Sequence, residues 1–393
     1  MSATDSGQDR APRISVVILT SSENRNILKR VHFLANGLSS QYESSLLVTS
    51  EKPWSQRGRA GLLSAIKLVL RPPEIVHVVE PWFAGFPIIF LIAHRSRLIY
   101  QTGNINFENI RITGSSFLIS RVLKFIELMY VRLARVIFTD DISMIPYFRN
   151  INDSAKVFFV PEELNPVSIY QRGDAISDND SPDEIPVVGY VANIHLMTMP
   201  WGQKLPRGWE LVMAAKKLEE MGHLNMRFVV VGGGKGLPEL KKFVHSNGLD
   251  SHFTLTGEVD DQEKDRWISK FHVGFQEDYS FLSTHRYNLG HKVKEYMAMG
   301  VPVVTGWDGD KGRLISGRLR CGICVRPLSH QDGIGAYIGE IAEALAKMID
   351  DQDMHRAMAE NCIKLSSRLL DEGRIMAEVR TIYGRFLVGN HGD

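Results

Sequence analysis

Residues 287–304 read YNLGHKVKEYMAMGVPVV. Gly290 precedes a run with helical spacing, and a second glycine leads into the apolar strand 301–304. The exposed N–H groups at the start of such a helix form an anion site suited to a diphosphate. Lys292 adds a positive charge in the first turn, and Glu295 can accept two hydrogen bonds from a ribose diol. The pattern predicts a phosphate-binding turn that opens a helix ahead of a buried strand.

Strand-like and helix-like runs alternate on both sides of this stretch. Before residue 171 we predict strands at 14–19, 45–49, 75–79, 97–100, 136–139 and 156–160. After residue 186 we predict strands at 187–191, 227–231, 253–256, 273–275 and 301–304, with helices between most of them. Such alternation is typical of βαβ units and therefore of parallel sheets.

The length of the chain predicts two domains. With 393 residues, it exceeds the roughly 250–300 residues at which one hydrophobic core stops growing. Residues 171–186 lack periodicity and concentrate Asp, Ser and Pro, so we interpret them as a linker. We therefore predict an N-terminal domain at 1–170 and a C-terminal domain at 187–374, with a last helix at 375–393 that crosses back to the first domain.

Composition excludes several classes of protein. The chain is 44% hydrophobic and 23% charged, as in a globular protein. Its three cysteines are too few for a disulfide scaffold, and Cys321-x-x-Cys324 lacks a second metal-ligand pair, so we interpret it as structural. Residues 1–12 lack a signal-peptide core, and the apolar run 86–93 is far shorter than the roughly 20 residues that span a bilayer. We expect a reducing, cytoplasmic environment.

Residues 287–304 resemble the E-x7-E signature and Gly-x-Pro-Val-Val strand of the family 4 retaining glycosyltransferases and their relatives with the GT-B fold. Glu295 matches the second glutamate, which in that family holds the nucleotide ribose. Gly290 matches a loop glycine that approaches the diphosphate, and His291 follows it in the same donor site. Tyr287 stands where the family has the glutamate that touches the transferred sugar.

The resemblance covers nearly all of residues 187–370 and, more loosely, the N-terminal half. Strand 187–191 and the pair Arg207-Gly208 resemble the strand and Lys-Gly pair of the family, which implies that Arg207 binds the diphosphate. Tyr190 takes the place of a family arginine, which implies the loss of one phosphate contact. The turn that includes Gly233 and Gly234 resembles the family turn after the next strand, and the segment ending at Val259 resembles the one beside the base.

The N-terminal half offers acceptor-side candidates but no evident base. The strand that begins at Arg97 resembles a family strand, but Gln101, Thr102 and Asn104 replace its ionisable residues. A retaining mechanism can leave deprotonation of the acceptor to the departing diphosphate, whose charge Arg207 and Lys292 would stabilise, and we group Asn104 with these two as catalytic.

Three further residues are acceptor-side candidates. Ser22 and Arg25 follow the first strand, where this fold places acceptor or phosphate contacts. His195 lies in the loop after strand 187–191 and could approach the sugar.

A basic excess in the N-terminal half suggests a membrane surface. Residues 1–175 contain 20 Lys and Arg against 15 Asp and Glu. The long apolar helix 117–135 carries the four cations Arg121, Lys124, Arg132 and Arg135, and aromatic residues precede it at Trp82, Phe83, Phe86 and Phe90. This combination suits peripheral docking on anionic lipid.

The resemblance implies a GT-B fold, that is, two Rossmann-like α/β domains with an interdomain cleft. It implies a hexosyltransferase (EC 2.4) that moves a sugar from a UDP- or GDP-sugar to a glycan or lipid-linked acceptor in polysaccharide or glycoconjugate biosynthesis. We expect retention of configuration, no metal, no other cofactor and no nucleic-acid partner. We expect Asp308 and Asp310 to lie in a turn and not to bind a metal.

Three rival interpretations remain open. An NAD(P)-dependent oxidoreductase would use the glycines at 232–236, which lack the full dinucleotide fingerprint. A catalytically impaired relative would bind nucleotide or glycan without turnover. A nucleotide-sugar 2-epimerase of the same fold would need acid–base carboxylates near the sugar.

Overall fold

In a computed structural model, the chain divides into two compact units. One unit comprises Met1–Pro161 with Met376–Asp393, and the other comprises Glu162–Ile375. The structure describes residues 14–20, 25–48, 63, 66–80, 97–102, 117–142, 144–161, 185–279, 290–306 and 309–388.

The first unit is built on a parallel sheet. Its described strands are β1 (Ser15–Thr20), β2 (Glu43–Val48), β3 (Ile75–Val79), β4 (Arg97–Gln101), β5 (Val136–Thr139) and β6 (Lys156–Phe159), in the order β2-β1-β3-β4-β5-β6. Each neighbouring pair is parallel. The central strands β3 and β5 are buried along their whole length, which explains their continuous apolar sequences.

Four described helices belong wholly or largely to this unit: α1 (Arg25–Leu38), α2 (Phe117–Leu133), α3 (Met144–Ile151) and α11 (Glu372–Val388). In α11, Tyr383 is fully buried and its hydroxyl lies 2.7 Å from Nδ1 of His77 on β3. Burial and the charge of Arg30 lower the pKa of His77 to about 3, so this histidine is neutral. Arg380 donates hydrogen bonds of 3.0 and 2.7 Å to the carbonyl of Gly37. These contacts attach the C-terminal helix to the first unit.

The second unit repeats the α/β plan with a different strand order. Its strands are β7 (Val187–Val191), β8 (Leu196–Thr198), β9 (Lys204–Pro206), β10 (Arg227–Val231), β11 (Phe253–Leu255), β12 (Val273–Phe275), β13 (Val303–Gly306) and β14 (Gly322–Val325). Six of them form a parallel sheet in the order β11-β10-β7-β12-β13-β14, while β8 and β9 pair as a separate hairpin. This is the doubly wound order, in which the strand sequence reverses between β7 and β12.

The helices of the second unit are α4 (Trp209–Glu220), α5 (Leu237–Ser246), α6 (Asp261–Ile268), α7 (His291–Ala298), α8 (Gly309–Ile315), α9 (Ile334–Asp350) and α10 (Gln352–Leu369), with a 3-10 turn at Gln331–Gly333. Side-chain caps begin two of them. Asp260 accepts a 2.8 Å bond from the N–H of Glu263, and Asp351 accepts a 2.9 Å bond from that of Met354. The apolar faces of α4 and α9 share one core with β7, β10 and β12.

None of the described helices is long and apolar enough to cross a bilayer.

The predicted turn at 308–310 is wrong at Asp310, because α8 begins at Gly309. Asp308 lies outside the described residues. The helix α8 contains two glycines, Gly309 and Gly312, which have low helix propensity. Tertiary packing therefore outweighs local propensity in this segment.

Candidate donor-binding site

The candidate site lies at the carboxyl edge of the second sheet, where β7 and β12 end. In a doubly wound sheet, ligands bind at the point where the strand order reverses. The loop after β7 leads to His195 and Arg207, and β12 leads directly into Gln276 and Glu277. Residues distant in the sequence therefore meet at one edge of this unit.

Arg207 is held by a buried carboxylate. Its Nε donates a 2.5 Å hydrogen bond to Oε1 of Glu277, and Nη2 contacts the same oxygen. The Arg207 side chain is 18% exposed, whereas that of Glu277 is fully buried. Burial opposes the charge of Arg207, but the ion pair with Glu277 outweighs burial and raises its pKa. Glu277 therefore holds Nε and Nη2 of the guanidinium, while part of the Arg207 side chain remains exposed to solvent.

A second buried glutamate interacts electrostatically with this pair. Glu210, in the first turn of α4, is fully buried. Neither of its carboxyl oxygens has a hydrogen-bond partner among the described residues. Burial and the nearby charge of Glu277 raise the pKa of Glu210 well above its usual value. The surroundings of Glu210 therefore favour its protonated form.

Lys292 points its amino group at this same region. Its Nζ is buried, has no hydrogen-bond partner among the described residues, and lies 5.0 Å from the ring centroid of Tyr190. Burial and the charge of Arg207 lower the pKa of Lys292 to about 7. The ring of Tyr190 thus contacts the amino group of Lys292. The sequence had predicted only that Tyr190 removes one phosphate contact, and this contact with Lys292 was not predicted.

The N-terminus of α7 adds backbone donors beside Lys292. Gly290 is the N-cap residue of the helix, with φ of 79°, and as a glycine it provides no side-chain cap. Such a helix start attracts anions through these donors and the helix dipole. Together with Arg207 and Lys292 it makes a candidate anion site.

Glu295 lies one turn further along α7. Its Oε1 accepts a hydrogen bond from Nζ of Lys264 on α6, and Nε2 of His291 lies 3.3 Å from the same oxygen. Burial would raise the pKa of Glu295, but His291 and Lys264 outweigh burial and lower it. The site therefore presents an ionised, positioned carboxylate next to the anion site.

The predicted glycine turn packs tightly against neighbouring backbone. A Cβ atom on Gly234 would lie 2.1 Å from the carbonyl oxygen of Ile194, and one on Gly233 would lie 3.0 Å from the backbone nitrogen of Glu258. Glu258 precedes Val259, which is partly buried in the adjoining core cluster. The glycines therefore bring three loops together, including the predicted base-side segment.

His195 is exposed and lies near the cations. Its Nδ1 is 3.1 Å from the carbonyl oxygen of Asn193. Burial and the charge of Arg207 lower its pKa. Of the other predicted residues, Arg25 begins α1 in the first unit, and Ser22, Asn104 and Tyr287 lie outside the described residues.

Sequence reasoning missed several residues of this region. Glu277, Glu210 and Lys264 were not predicted, and only the position of Glu277 directly after a buried strand offered a signal. In the first unit, Glu80 also follows a strand; it is buried, has φ of 60°, and accepts a 3.2 Å hydrogen bond from Thr102. Glu80 is therefore a carboxylate at the carboxyl edge of the first sheet. In the described part of the chain, no group of three or more His, Cys, Asp or Glu side chains is placed to hold a metal.

Comparison with known structures defines the fold. The fold is GT-B, as in sucrose-phosphate synthase from Thermosynechococcus elongatus, which has a TM-score of 0.71 and 14% identity over 96% of this chain and 100% of that chain. HepE from Anabaena, solved with UDP and glucose, has a TM-score of 0.64 and 13% identity over 94% of this chain and 99% of that one.

A family model matches the sequence of the second unit. Residues 209–365 match the glycosyl transferases group 1 model. It is 28% identical to alpha-D-kanosaminyltransferase from Streptomyces kanamyceticus over 184 residues, which are 47% of this chain. The match spans 41% of the length of that relative.

Proposed function

We propose that the protein is a hexosyltransferase (EC 2.4) that uses a UDP- or GDP-sugar as donor. Arg207, Lys292 and the start of α7 would bind the diphosphate, Glu295 the ribose, and the segment ending at Val259 the base. The observation that carries this proposal is the buried amino group of Lys292, unpartnered among the described residues, beside Arg207 and a helix N-terminus without a side-chain cap.

The proposed transfer breaks the bond between the anomeric carbon and the diphosphate oxygen and forms one to an acceptor hydroxyl oxygen. We propose retention, with the departing diphosphate accepting the hydroxyl proton. Arg207 and Lys292 would stabilise the charge that develops on the diphosphate. These two cations and the helix dipole supply positive charge that a metal would otherwise provide, so we propose a metal-independent reaction.

We further propose a glycan or lipid-linked acceptor in polysaccharide or glycoconjugate biosynthesis, reached by peripheral docking on the cytoplasmic membrane face. Support comes from one face of α2, where Leu118, Val122 and Phe125 are 71%, 51% and 55% exposed. Arg121 and Lys124 are exposed on the same helix. An apolar stripe with adjacent cations suits insertion into an anionic lipid surface.

Thermal unfolding of the purified protein with UDP, GDP, ADP, CMP and NAD tests the donor site. A ligand at a hundredfold its Kd adds about 2.7 kcal/mol to the free energy of unfolding. We expect UDP or GDP to raise the Tm, Glu295→Ala to abolish this shift, and the exposed control Glu360→Ala to retain it. Stabilisation by NAD alone, or by no nucleotide, would contradict the donor assignment.

The alternatives are separated by products. An active transferase consumes the nucleotide sugar in an acceptor-dependent manner. A catalytically impaired relative binds nucleotide without consuming the sugar, and a 2-epimerase returns an epimer without transfer.

A further inference from the structure

Lys264 joins two helices that carry different parts of the proposed nucleoside site. It lies on α6, and its Nζ reaches Oε1 of Glu295 on α7. Nε2 of His291 lies 3.3 Å from that same oxygen. The side chains of Lys264 and Glu295 are only 19% and 11% exposed. Two cationic or polar groups therefore hold one oxygen of the carboxylate.

The arrangement leaves the second oxygen of Glu295 for a ligand. No described residue donates a hydrogen bond to Oε2, and this oxygen is not among the buried unsatisfied atoms of the described chain. A carboxylate held at one oxygen is fixed in direction. The other oxygen can then accept hydrogen bonds from two neighbouring hydroxyl groups without first losing rotational freedom.

The same contact links the base-side segment to this carboxylate. Helix α6 begins directly after residues 257–260, and the N–H of Lys264 donates a 2.9 Å bond to the carbonyl of Asp260. The ammonium of Lys264 is engaged by Glu295 and lies 3.8 Å from Asp261. It is thus committed to carboxylates, while Arg207 and Lys292 form the separate anion site.

We infer that Lys264 is a positioning residue for Glu295 and determines how strongly the protein distinguishes ribonucleotides from deoxyribonucleotides. This inference rests on the proposed donor site. Lys264 acts through Glu295 and leaves recognition of the diphosphate to the other cations.

Isothermal titration tests this role with five probes: UDP, GDP, their 2′,3′-dideoxy forms and inorganic pyrophosphate. The proteins are wild type, Lys264→Met, Lys264→Arg and the control Lys270→Met, whose exposed amino group lies over Trp267. We expect wild type to prefer the ribonucleotide by about tenfold or more, as for hydrogen bonds to a charged group. Lys264→Met should reduce this ratio to about twofold or less while the Kd of pyrophosphate stays unchanged. Lys264→Arg keeps the positive charge and should retain the preference for the ribonucleotide.

The outcomes separate positioning from general damage. An undiminished ribonucleotide preference in Lys264→Met would overturn the inference, as would an equal loss of affinity for pyrophosphate and nucleotide. A wild-type protein that binds pyrophosphate but shows no preference for ribose overturns the ribose contact of Glu295 and the role of Lys264, and leaves the proposed diphosphate site standing. A wild-type protein that binds none of the probes overturns the proposed donor site and this inference with it.

Discussion

At the scale of single residues, Glu277 and Glu210 are both fully buried, but their surroundings differ. Glu277 pairs with Arg207, whereas burial and the charge of Glu277 raise the pKa of Glu210 and favour its protonated form. Removing one member of a buried ion pair typically costs about 3–5 kcal/mol, because the other charge stays unpaired. We therefore expect Glu277→Gln to lower the free energy of unfolding by about 3 kcal/mol, as measured by urea denaturation.

Glu210→Gln is the matched control for that experiment. A neutral amide replaces a neutral carboxyl group of similar shape, so we expect a change of about 1 kcal/mol or less. Equal destabilisation by the two substitutions would contradict the assigned charge states.

Lys292 gives the folded protein a defined pH dependence. Its pKa is about 7 when folded, against 10.5 for an unperturbed lysine. The unfolded chain therefore binds more protons between these values, so the contribution of Lys292 to the free energy of unfolding rises with pH across this window. The slope approaches about 1.4 kcal/mol per pH unit for one proton.

Urea unfolding at pH 7, 8 and 9 measures this slope. We expect it to be smaller in Lys292→Met than in wild type and unchanged in the exposed control Lys241→Met. Parallel pH curves for wild type and Lys292→Met would show that Lys292 remains charged in the folded state.

The sequence anticipated the positions of Arg207, Lys292 and Glu295 but not the groups that hold them. Glu277 is 70 residues from Arg207, and Lys264 is 31 residues from Glu295. Such pairs are created by sheet topology, and no local spacing records them. Their functional roles remain predictions.

At the scale of elements, the glycine turn after β10 limits substitution by geometry. Gly234 has φ of 135°, and a Cβ there would lie 2.1 Å from the carbonyl oxygen of Ile194. We expect Gly234→Ala to lower the free energy of unfolding by about 3 kcal/mol or more, because both backbone strain and overlap oppose it. Gly339 lies inside α9, and a methyl group added there would meet no described neighbour within 4 Å. Gly339→Ala should instead raise stability by about 0.5–1 kcal/mol, and thermal unfolding compares the two variants.

Helix α2 carries the prediction for membranes. We expect the protein to cosediment with vesicles containing phosphatidylglycerol more strongly than with phosphatidylcholine alone, because the exposed cations attract anionic lipid. Replacing both Leu118 and Phe125 with Ser should weaken sedimentation, whereas Met221→Ser, at an exposed position of the second unit, should not. Equal sedimentation of all proteins would contradict docking through α2.

Strongly periodic elements were predictable to within a residue or two. Strand β7 has the predicted bounds 187–191, and α7 spans 291–298, directly after Gly290 as predicted. The hairpin of β8 and β9 was not predicted, because each strand has three residues and is defined by pairing with the other. Helices and strands with a clear hydrophobic periodicity can be predicted from the local sequence, whereas short strands that are defined by pairing with another strand cannot.

At the scale of the whole molecule, alternation of strands and helices predicted two α/β sheets but not the order of their strands. The first sheet has the order β2-β1-β3-β4-β5-β6, and the second has β11-β10-β7-β12-β13-β14. Strand order depends on which strands meet after crossover connections, and hydrophobic periodicity is the same for every buried strand. The second order is the one that brings the ends of β7 and β12 together.

The charge balance of the proposed donor site leads to a prediction about metals. In the proposed site, Arg207, Lys292 and the start of α7 would supply the positive charge that a divalent cation otherwise provides. We therefore expect the Tm shift produced by UDP or GDP to be the same in EDTA as in Mg²⁺. Lys292→Met should reduce this shift under both conditions, because the lost charge belongs to the protein. A shift that appears only with Mg²⁺ or Mn²⁺, or that Mg²⁺ restores in Lys292→Met, would assign the phosphate charge to a bound metal and contradict the metal-independent proposal.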